Sequence, residues 1–290
     1  MYKLKKTSGR QVSVFIPNAL VSRIANRLKT IQGFEEAPVT SRYEAIRGRV
    51  EDKTVIIYYS GSVVYDESLE RFRSMLEEVL YEYHKTDGMV VGSDEAGKGE
   101  ALGPLVIAAT ALTPRQAAYL QSIGVADSKI VPENRIRELA KRIKQFSLGY
   151  SILRIPPSKL NEMFEMKEKY GNLNDILAKG HYKVLKSVLS KVSEKPAQII
   201  IDKFDSSKTN RRIRIIENAL GGLTVQAVEK GEVFPAVAAA SILARESYLR
   251  WIRRNIGKEI LEKIRKGDYA SVGSKEKMES YFKMCYIKKA

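Results

Sequence analysis

The sequence predicts a small N-terminal α+β domain, residues 1–85, followed by a larger α/β domain, residues 86–290. In the first domain, short segments with strand composition surround two segments whose apolar residues have helical spacing. In the second domain, continuous apolar segments typical of buried strands alternate with helical patterns, which indicates an α/β architecture. The polar segment 85–89, KTDGM, is predicted to be a linker turn between the two domains.

Local patterns define the elements of the first domain. Valine, isoleucine and tyrosine dominate its strand segments, and the two central segments form a hairpin around the turn 51–53. Its helical segments carry apolar residues every three or four positions. The predicted strands are 12–17, 43–50, 54–60 and 63–65, and the predicted helices are 18–31 and 67–84.

The second domain begins with the segment VVGSDEAG, 90–97, a strand that runs into a turn. Its later strand segments are apolar without alternation, as expected when both faces of a strand are buried. The segment 235–252 is rich in small residues and is predicted to be a closely packed helix. The further predicted strands are 100–112, 195–204 and 223–230, and the further predicted helices are 114–123, 133–146, 158–165 and 174–192.

The charge of the chain favours a polyanionic partner. The 290 residues include 50 Lys and Arg against 34 Asp and Glu, a net charge of +16, which favours nucleic acid over an anionic membrane. The single cysteine, Cys285, excludes an internal disulfide framework and a multi-cysteine zinc site. No apolar run reaches the roughly 18–20 residues of a membrane span, and the N-terminal stretch lacks the apolar core of a secretory signal. A cytoplasmic location is therefore expected.

One strand of the first domain is a candidate nucleic-acid surface. Residues 1–53 contain 11 Lys and Arg against 5 Asp and Glu. Tyr43, Arg47 and Arg49 share one face of the strand 43–50, because side chains alternate along a strand. Basic side chains beside an aromatic ring suit a ligand with phosphates and stacked bases. A solvated polar face with no ligand is the equally simple alternative.

Four acidic residues lie at the boundaries of predicted apolar elements: Asp94, Glu95, Asp202 and Glu232. Adjacent strand residues point to opposite faces, so Asp94 and Glu95 are not expected to share one core face. Buried carboxylates are costly unless they are paired or bind a metal, and hard divalent cations take oxygen ligands. Two cations about 3.5–4 Å apart hold the attacking and leaving oxygens in phosphoryl transfer. The alternative is that these acidic side chains lie at turns and are hydrated by solvent.

The chain has only two histidines, so histidine-based catalytic or zinc sites are poorly supported.

Several motifs follow one another along the chain: DEAGKGEALGPLVIAA (94–109), DSK (127–129), YGNLN with N-x-x-L-A-x-x-H (170–181), IDKF (201–204) and AVAAASILAR (236–245). In this order they resemble the motifs of the type 2 ribonucleases H, and in particular the ribonuclease HIII branch. Ribonuclease HII usually has arginine where Lys98 stands, and it lacks a domain like 1–85. The resemblance implies a catalytic domain with a mixed central sheet flanked by helices. It also implies an N-terminal domain that resembles half of the TATA-box-binding protein and grips the substrate.

The resemblance also implies roles for particular residues. Asp94, Glu95 and Asp202 match three acids of the family's metal site, and Glu232 is the expected fourth, with Asp205 as the alternative. Gly97, Lys98 and Gly99 are expected to contact the RNA strand, and Tyr43, Arg47 and Arg49 are the candidate contacts on the N-terminal domain. By its helical spacing alone His181 would be a partly buried structural residue, and the resemblance adds a substrate or phosphate contact as the alternative. The motif 127–129 is expected to support the site from outside the catalytic set.

The implied activity is endonucleolytic cleavage of the RNA strand of RNA–DNA hybrids with two Mg²⁺ or Mn²⁺ ions, leaving 5′-phosphate and 3′-hydroxyl ends. The expected partner is the hybrid, and the protein is expected to be a monomer that does not bind membranes. Three other classes stay open: a pure nucleic-acid-binding protein, another two-metal nuclease that prefers DNA, and an anionic-membrane protein. The last would need a basic amphipathic helix, and no such pattern is found.

Overall fold

The computed structural model describes residues 10–84, 88–204, 209–268 and 272–287. The chain divides into two compact units. Unit 1 consists of Met1–Thr86 and Pro114–Ala126, and unit 2 consists of Asp87–Thr113 and Asp127–Ala290. The first boundary lies next to the predicted one. Of the predicted linker 85–89, residues 85–87 lie outside the described residues.

The assignment of all residues from 86 to 290 to the second domain differs from the structure at one helix. Pro114–Ser122 belongs to unit 1. The reason is its small apolar face, because Ala117, Ala118 and Leu120 are buried, and Ala118 belongs to the hydrophobic core of unit 1. A helical pattern predicts a buried face but not which core will bury it.

Unit 1 is an antiparallel sheet with the strand order β1-β5-β4-β3-β2, and apolar residues of its helices share the core with the sheet. β3 and β4 form the predicted hairpin, whose turn residues Glu51 and Asp52 have φ angles of 50° and 64°, as two-residue hairpin turns require. The elements are β1 Gln11–Phe15, a 3₁₀ turn Asn18–Leu20, α1 Val21–Lys29, β2 Glu35–Ala37, β3 Glu44–Val50, β4 Lys53–Tyr58, β5 Ser62–Asp66, α2 Glu70–His84 and α3 Pro114–Ser122.

Unit 2 has a mixed sheet with the strand order β10-β9-β6-β7-β8, as expected for the family. β9 pairs in parallel with β6 and β10, whereas β7 is antiparallel to β6 and β8. The strands are β6 Val90–Ala96, β7 Leu105–Leu112, β8 Gly149–Ile155, β9 Gln198–Asp202 and β10 Gln226–Val228. The helical elements are α4 Glu133–Phe146, α5 Pro157–Glu165, α6 Lys167–Tyr170, α7 Leu173–Leu189, α8 Thr209–Ala219, α9 Pro235–Asn255, α10 Lys258–Arg265, α11 Lys275–Tyr281 and the 3₁₀ turns Gly231–Val233 and Met284–Tyr286.

Helices α9 and α7 pack against opposite faces of β6. A Cβ atom on Gly92 would lie 2.3 Å from the Ala236 carbonyl carbon, so the glycine lets α9 approach the strand closely. The next residue, Ser93, faces α7 and contacts His181. This arrangement directs alternate residues at the end of β6 toward two different helices. In the described part of the chain, none of the helices is both long and apolar enough to cross a membrane.

Candidate functional site

The ends of β6 and β9 and the loop that follows β6 border a cavity of about 740 Å³ in unit 2. Three of the predicted acids, Asp94, Glu95 and Asp202, line this cavity. The fourth, Glu232, is not among its lining residues in the described part of the chain, and the alternative Asp205 lies outside the described residues. The other lining residues include Gly97, Lys98, Gly99, Ser128, Lys129, Ser241 and Arg245.

Asp94 and Glu95 point to opposite faces of the sheet, as strand alternation predicts. The Asp94 side chain is buried and hydrogen-bonds to Ser241 of α9, and its Oδ1 accepts the Glu95 N–H at 2.7 Å. The Glu95 carboxylate faces α7, with Oε2 3.3 Å from His181 Nε2 and Oε1 3.6 Å from Lys98 Nζ. The two adjacent acids therefore have different partners.

Asp202 is held at the end of β9 by the segment after β10. Its Oδ1 accepts the Gly231 N–H at 2.8 Å. Lys230 adopts a left-handed conformation, with φ 55°, immediately before the 3₁₀ turn that contains Glu232. This turn places Glu232 near enough to raise the pKa of Asp202.

Burial and mutual repulsion make this group of carboxylates costly to ionise. Burial raises the pKa of Asp94 well above its usual range, and the charges of Glu95 and Asp202 raise it further. Burial also raises the pKa of Asp202, as do Glu232 and Glu95, although the Gly231 N–H opposes them. The site therefore has an excess of negative charge that a bound cation would relieve.

Lys129 of the DSK motif supplies part of the opposing charge. Burial acts to lower the pKa of Lys129, but the carboxylates of Asp127, Asp94, Glu232 and Asp202 outweigh it, so the pKa is raised. The neighbouring Ser128 Oγ is hydrogen-bonded to Ser241 Oγ at 2.9 Å. The motif is thus connected to α9 and to the acids.

The donor set suits a hard divalent cation, because it consists of carboxylates and has no histidine or thiolate of its own. The positions of these side chains fit a metal ion less closely than their chemical type does. Among the residues that the structure describes, no three Asp, Glu, His or Cys side chains are arranged to hold a metal ion. The predicted four-acid metal site therefore stays a prediction, supported by charge and chemistry but not by a formed ligand cluster.

His181 is not among the cavity's lining residues in the described part of the chain, and its predicted contact with a substrate or phosphate stays a prediction. Its side chain is 0% exposed, and its ring stacks on Phe204 at 4.9 Å. Ser93 Oγ donates to the Ala108 carbonyl and lies 2.8 Å from His181 Nδ1. This leaves Nδ1–H to donate to Ser93 and directs Nε2 toward Glu95. The packing of α7 on β6 places His181 Nε2 3.3 Å from Glu95 Oε2, without a hydrogen bond between them.

The loop after β6 has one glycine that the fold itself requires and one that faces open space. Gly97 has φ +83°, and a Cβ atom there would lie 2.2 Å from the Pro104 carbonyl oxygen. A Cβ atom on Gly99 would meet no atom within 4 Å. Between them, Lys98 Nζ donates to the Phe204 carbonyl and lies near Glu95. Gly99 is therefore the better candidate for close approach of a ligand.

Sequence reasoning missed three residues of α9 that line the cavity, Ser241, Arg245 and Leu249. Ser241 contacts Asp94, and Arg245 Nη1 donates to Glu100 Oε1 at 2.9 Å. The signal for Ser241 was present in the sequence, since it is the one hydroxyl residue in the small apolar segment 236–244. That signal identifies Ser241 only when the side of α9 that faces β6 is known.

The predicted alternation along 43–50 is interrupted, because Tyr43 precedes β3 and a β-bulge between Glu44 and Ile46 shifts the register between Tyr43 and the two arginines. Tyr43 is 61% exposed, and Arg49 is also exposed. Arg47 shares a face of β3 with Arg49 but is partly committed to an internal ion pair, with Nη2 2.8 Å from Glu44 Oε1. The pKa of Glu44 is lowered to about 2, and the hydrogen bond from Arg47 is the main cause. Tyr43 and Arg49 are thus better placed than Arg47 to contact a ligand.

Two curated relatives have similar sequences. Ribonuclease HIII of Streptococcus pneumoniae (strain Hungary19A-6) is 30% identical over 241 residues, which cover 80% of this chain and 81% of the relative. Ribonuclease HIII of Protochlamydia amoebophila (strain UWE25) is 34% identical over 177 residues, which cover 61% of this chain and 56% of the relative. The second match therefore spans little more than half of that relative.

Two solved structures are also similar. Bst-RNase HIII in complex with Mn²⁺ has a TM-score of 0.55 at 18% identity, with 95% of this chain and 96% of that chain covered, and it shares the fold. The RNase HII of Archaeoglobus fulgidus, solved in a complex with PCNA, has a TM-score of 0.50 at 31% identity, with coverage of 62% and 90%. The family model described as Ribonuclease HII matches residues 91–285. The chain, with its acids at the ends of β6 and β9, belongs to the type 2 ribonuclease H family and resembles the ribonuclease HIII branch.

Proposed function

We propose that the protein is an endoribonuclease that hydrolyses the RNA strand of RNA–DNA hybrids. The observation that carries the proposal is the shared cavity of Asp94, Glu95 and Asp202 in a member of this family. The net charge of +16 supports a polyanionic substrate. A pure binding protein would have no need for buried, mutually repelling carboxylates, which cost stability.

We propose that Asp94, Glu95, Asp202 and Glu232 would hold two Mg²⁺ or Mn²⁺ ions. Mn²⁺ is present in the Bst-RNase HIII structure. Such ions, when bound, activate a water molecule and stabilise charge at the phosphate. Other residues of the chain orient the acids: Gly231 holds Asp202, Ser241 holds Asp94, and Lys98 places a positive charge 3.6 Å from Glu95. The products would carry 5′-phosphate and 3′-hydroxyl ends.

The substrate class is tested by one cleavage assay. Labelled RNA–DNA hybrid, RNA duplex, DNA duplex and a DNA duplex with one embedded ribonucleotide are each incubated with Mg²⁺, Mn²⁺ or chelator. We expect cleavage of the hybrid's RNA strand with either ion and none with chelator. Cleavage of the DNA duplex at a similar rate would indicate another nuclease, and binding of the hybrid without cleavage would indicate a binding protein.

The fourth acid is tested by Glu232→Gln. If Glu232 binds a metal ion, its loss lowers cleavage by about 10²-fold or more, because metal ions contribute several kcal/mol to the transition state. Glu229→Gln is the matched control, since the Glu229 carboxylate lies in the same segment and pairs with Lys203 at 2.7 Å. Rates near wild type in both variants would remove Glu232 from the ligand set.

We propose that two exposed residues contribute to hybrid binding, Tyr43 just before β3 and Arg49 within it. We expect Arg49→Ala to weaken binding and to reduce the slope of log affinity against log salt by about one, as for one lost phosphate contact. Arg71→Ala is the control, because Arg71 is an exposed charge on α2. Equal slopes for Arg49→Ala and wild type would contradict the contact. Deleting residues 1–85 is a poorer test, because it removes the core that buries α3.

A cytoplasmic location and a monomeric state are also part of the proposal. Cell fractionation tests the first. Size-exclusion chromatography with light scattering tests the second, and a mass near 32.7 kDa is expected for the monomer. A mass of twice that value would contradict it.

A further inference from the structure

Residues 281–286, near the C-terminus, contact the loop 97–103, here called the site loop. The first residues of the site loop line the cavity. The Gly103 N–H donates to the Tyr281 carbonyl, and the Lys283 N–H donates to the Ala101 carbonyl, both at 2.8 Å. Leu102 and Phe282 form an antiparallel β-bridge between these bonds. The segment 281–286, here called the C-terminal segment, is therefore paired with the site loop along its backbone.

Lys283 places a buried cation against this loop. Its side chain is 0% exposed, and Nζ donates to the Gly103 carbonyl at 2.7 Å and to the Leu102 carbonyl at 3.3 Å. Burial lowers the pKa of Lys283 to about 8, although Glu100 opposes the shift. A buried ammonium group is costly, and an apolar side chain of similar length would fill the same space. Unlike an apolar residue, Lys283 forms two hydrogen bonds to carbonyl groups of the site loop.

Tyr286 and Asn161 complete the connection. The Tyr286 hydroxyl donates to the carbonyl of Lys98, at the centre of the glycine–lysine–glycine sequence. Asn161 of α5 donates to the Phe282 carbonyl at 2.9 Å and accepts the Met284 N–H at 2.8 Å. The C-terminal segment is thus fixed to α5 on one side and to the site loop on the other.

We propose that Lys283 and Tyr286 are positioning residues that set the backbone of the site loop for substrate binding. The inference rests on the proposed function only in naming that substrate. Neither side chain lines the cavity in the described part of the chain, so their effect is transmitted through the loop. Asp94 and Asp202 lie outside the site loop and are bonded to Ser241 and Gly231. Loss of either positioning residue therefore affects substrate binding more than the chemical step.

The test compares Lys283→Met and Tyr286→Phe with the control Lys277→Met, which removes an exposed lysine of α11. The first readout is hydrogen exchange of the site loop without substrate. We expect exchange at residues 97–103 to become about 10-fold faster or more in both test variants, as for loss of a strong hydrogen bond. Tyr286→Phe removes one hydroxyl from a partly exposed residue and is expected to fold even if Lys283→Met does not.

The second readout separates positioning from a general loss of folded protein. We expect KM for the RNA–DNA hybrid to rise about 10-fold with kcat within about twofold of wild type. A lower kcat with unchanged KM, or unchanged exchange of the site loop in folded variants, would overturn the proposal. If wild type does not cleave the hybrid at all, the proposed function fails, while the exchange measurement still decides whether these residues hold the loop.

Discussion

Asp94→Asn and Asp202→Asn are each expected to lower cleavage of an RNA–DNA hybrid by about 10²- to 10⁴-fold. Several kcal/mol of transition-state stabilisation are lost when a metal ion loses a ligand, and each 1.36 kcal/mol is a factor of ten. The measurement is single-turnover cleavage at saturating Mg²⁺ or Mn²⁺. Asp52→Asn is the control, because Asp52 is an exposed hairpin-turn residue in unit 1 whose positive φ angle asparagine also tolerates.

The same variants should be more stable than wild type when metal-free. Because the pKa of Asp94 is raised in the folded state, its contribution to stability is present below the unfolded pKa and is lost as pH rises through the folded pKa. Wild type without metal is therefore penalised at neutral pH, and Asp94→Asn removes that penalty. We expect a higher Tm for Asp94→Asn than for wild type at pH 7, with a smaller difference near pH 4.

Addition of Mn²⁺ should reverse this order. A cation that binds only the folded state raises Tm by mass action, and it should raise the Tm of wild type more than that of Asp94→Asn. A metal-induced shift of equal size in both proteins would mean that Asp94 is not a ligand. A metal-free wild type that is more stable than Asp94→Asn at pH 7 would contradict the proposed repulsion among the carboxylates.

Gly97→Ala and Gly99→Ala are expected to have different effects on stability and substrate binding. Alanine at Gly97 must adopt φ +83° and approach the Pro104 carbonyl, so we expect a Tm lower by a few degrees and cleavage at least 10-fold slower. Alanine at Gly99 meets no atom within 4 Å, so we expect an unchanged Tm. Its methyl group should instead exclude substrate and raise KM by about 10-fold.

Thermal unfolding and steady-state kinetics on the hybrid distinguish the two glycines. An unchanged KM for Gly99→Ala would show that this part of the loop does not approach the substrate. An unchanged Tm for Gly97→Ala would show that the loop adjusts without cost, and that the reason for this glycine lies elsewhere. Each glycine therefore has its own decisive measurement.

Elements with strong local patterns were predicted well. The helix predicted over 133–146 is α4, and the hairpin of β3 and β4 was also predicted. Periodicity and turn preference depend on neighbouring residues only, so sequence is sufficient for them. β2 and β8 were missed because the alternation of buried and exposed residues is weak in both.

The family, the net charge and the acids at the ends of β6 and β9 can all be inferred from the order of the residues. The opposite orientation of Asp94 and Glu95 can be inferred in the same way, because alternation is a property of every strand. The contact of α9 with Asp94 and the position of buried His181 beside Glu95 depend on how the helices pack. The hydrogen bonds between the C-terminal segment and the site loop also depend on the folded structure. These contacts join residues distant in sequence, and their geometry depends on which helix packs on which face of the sheet.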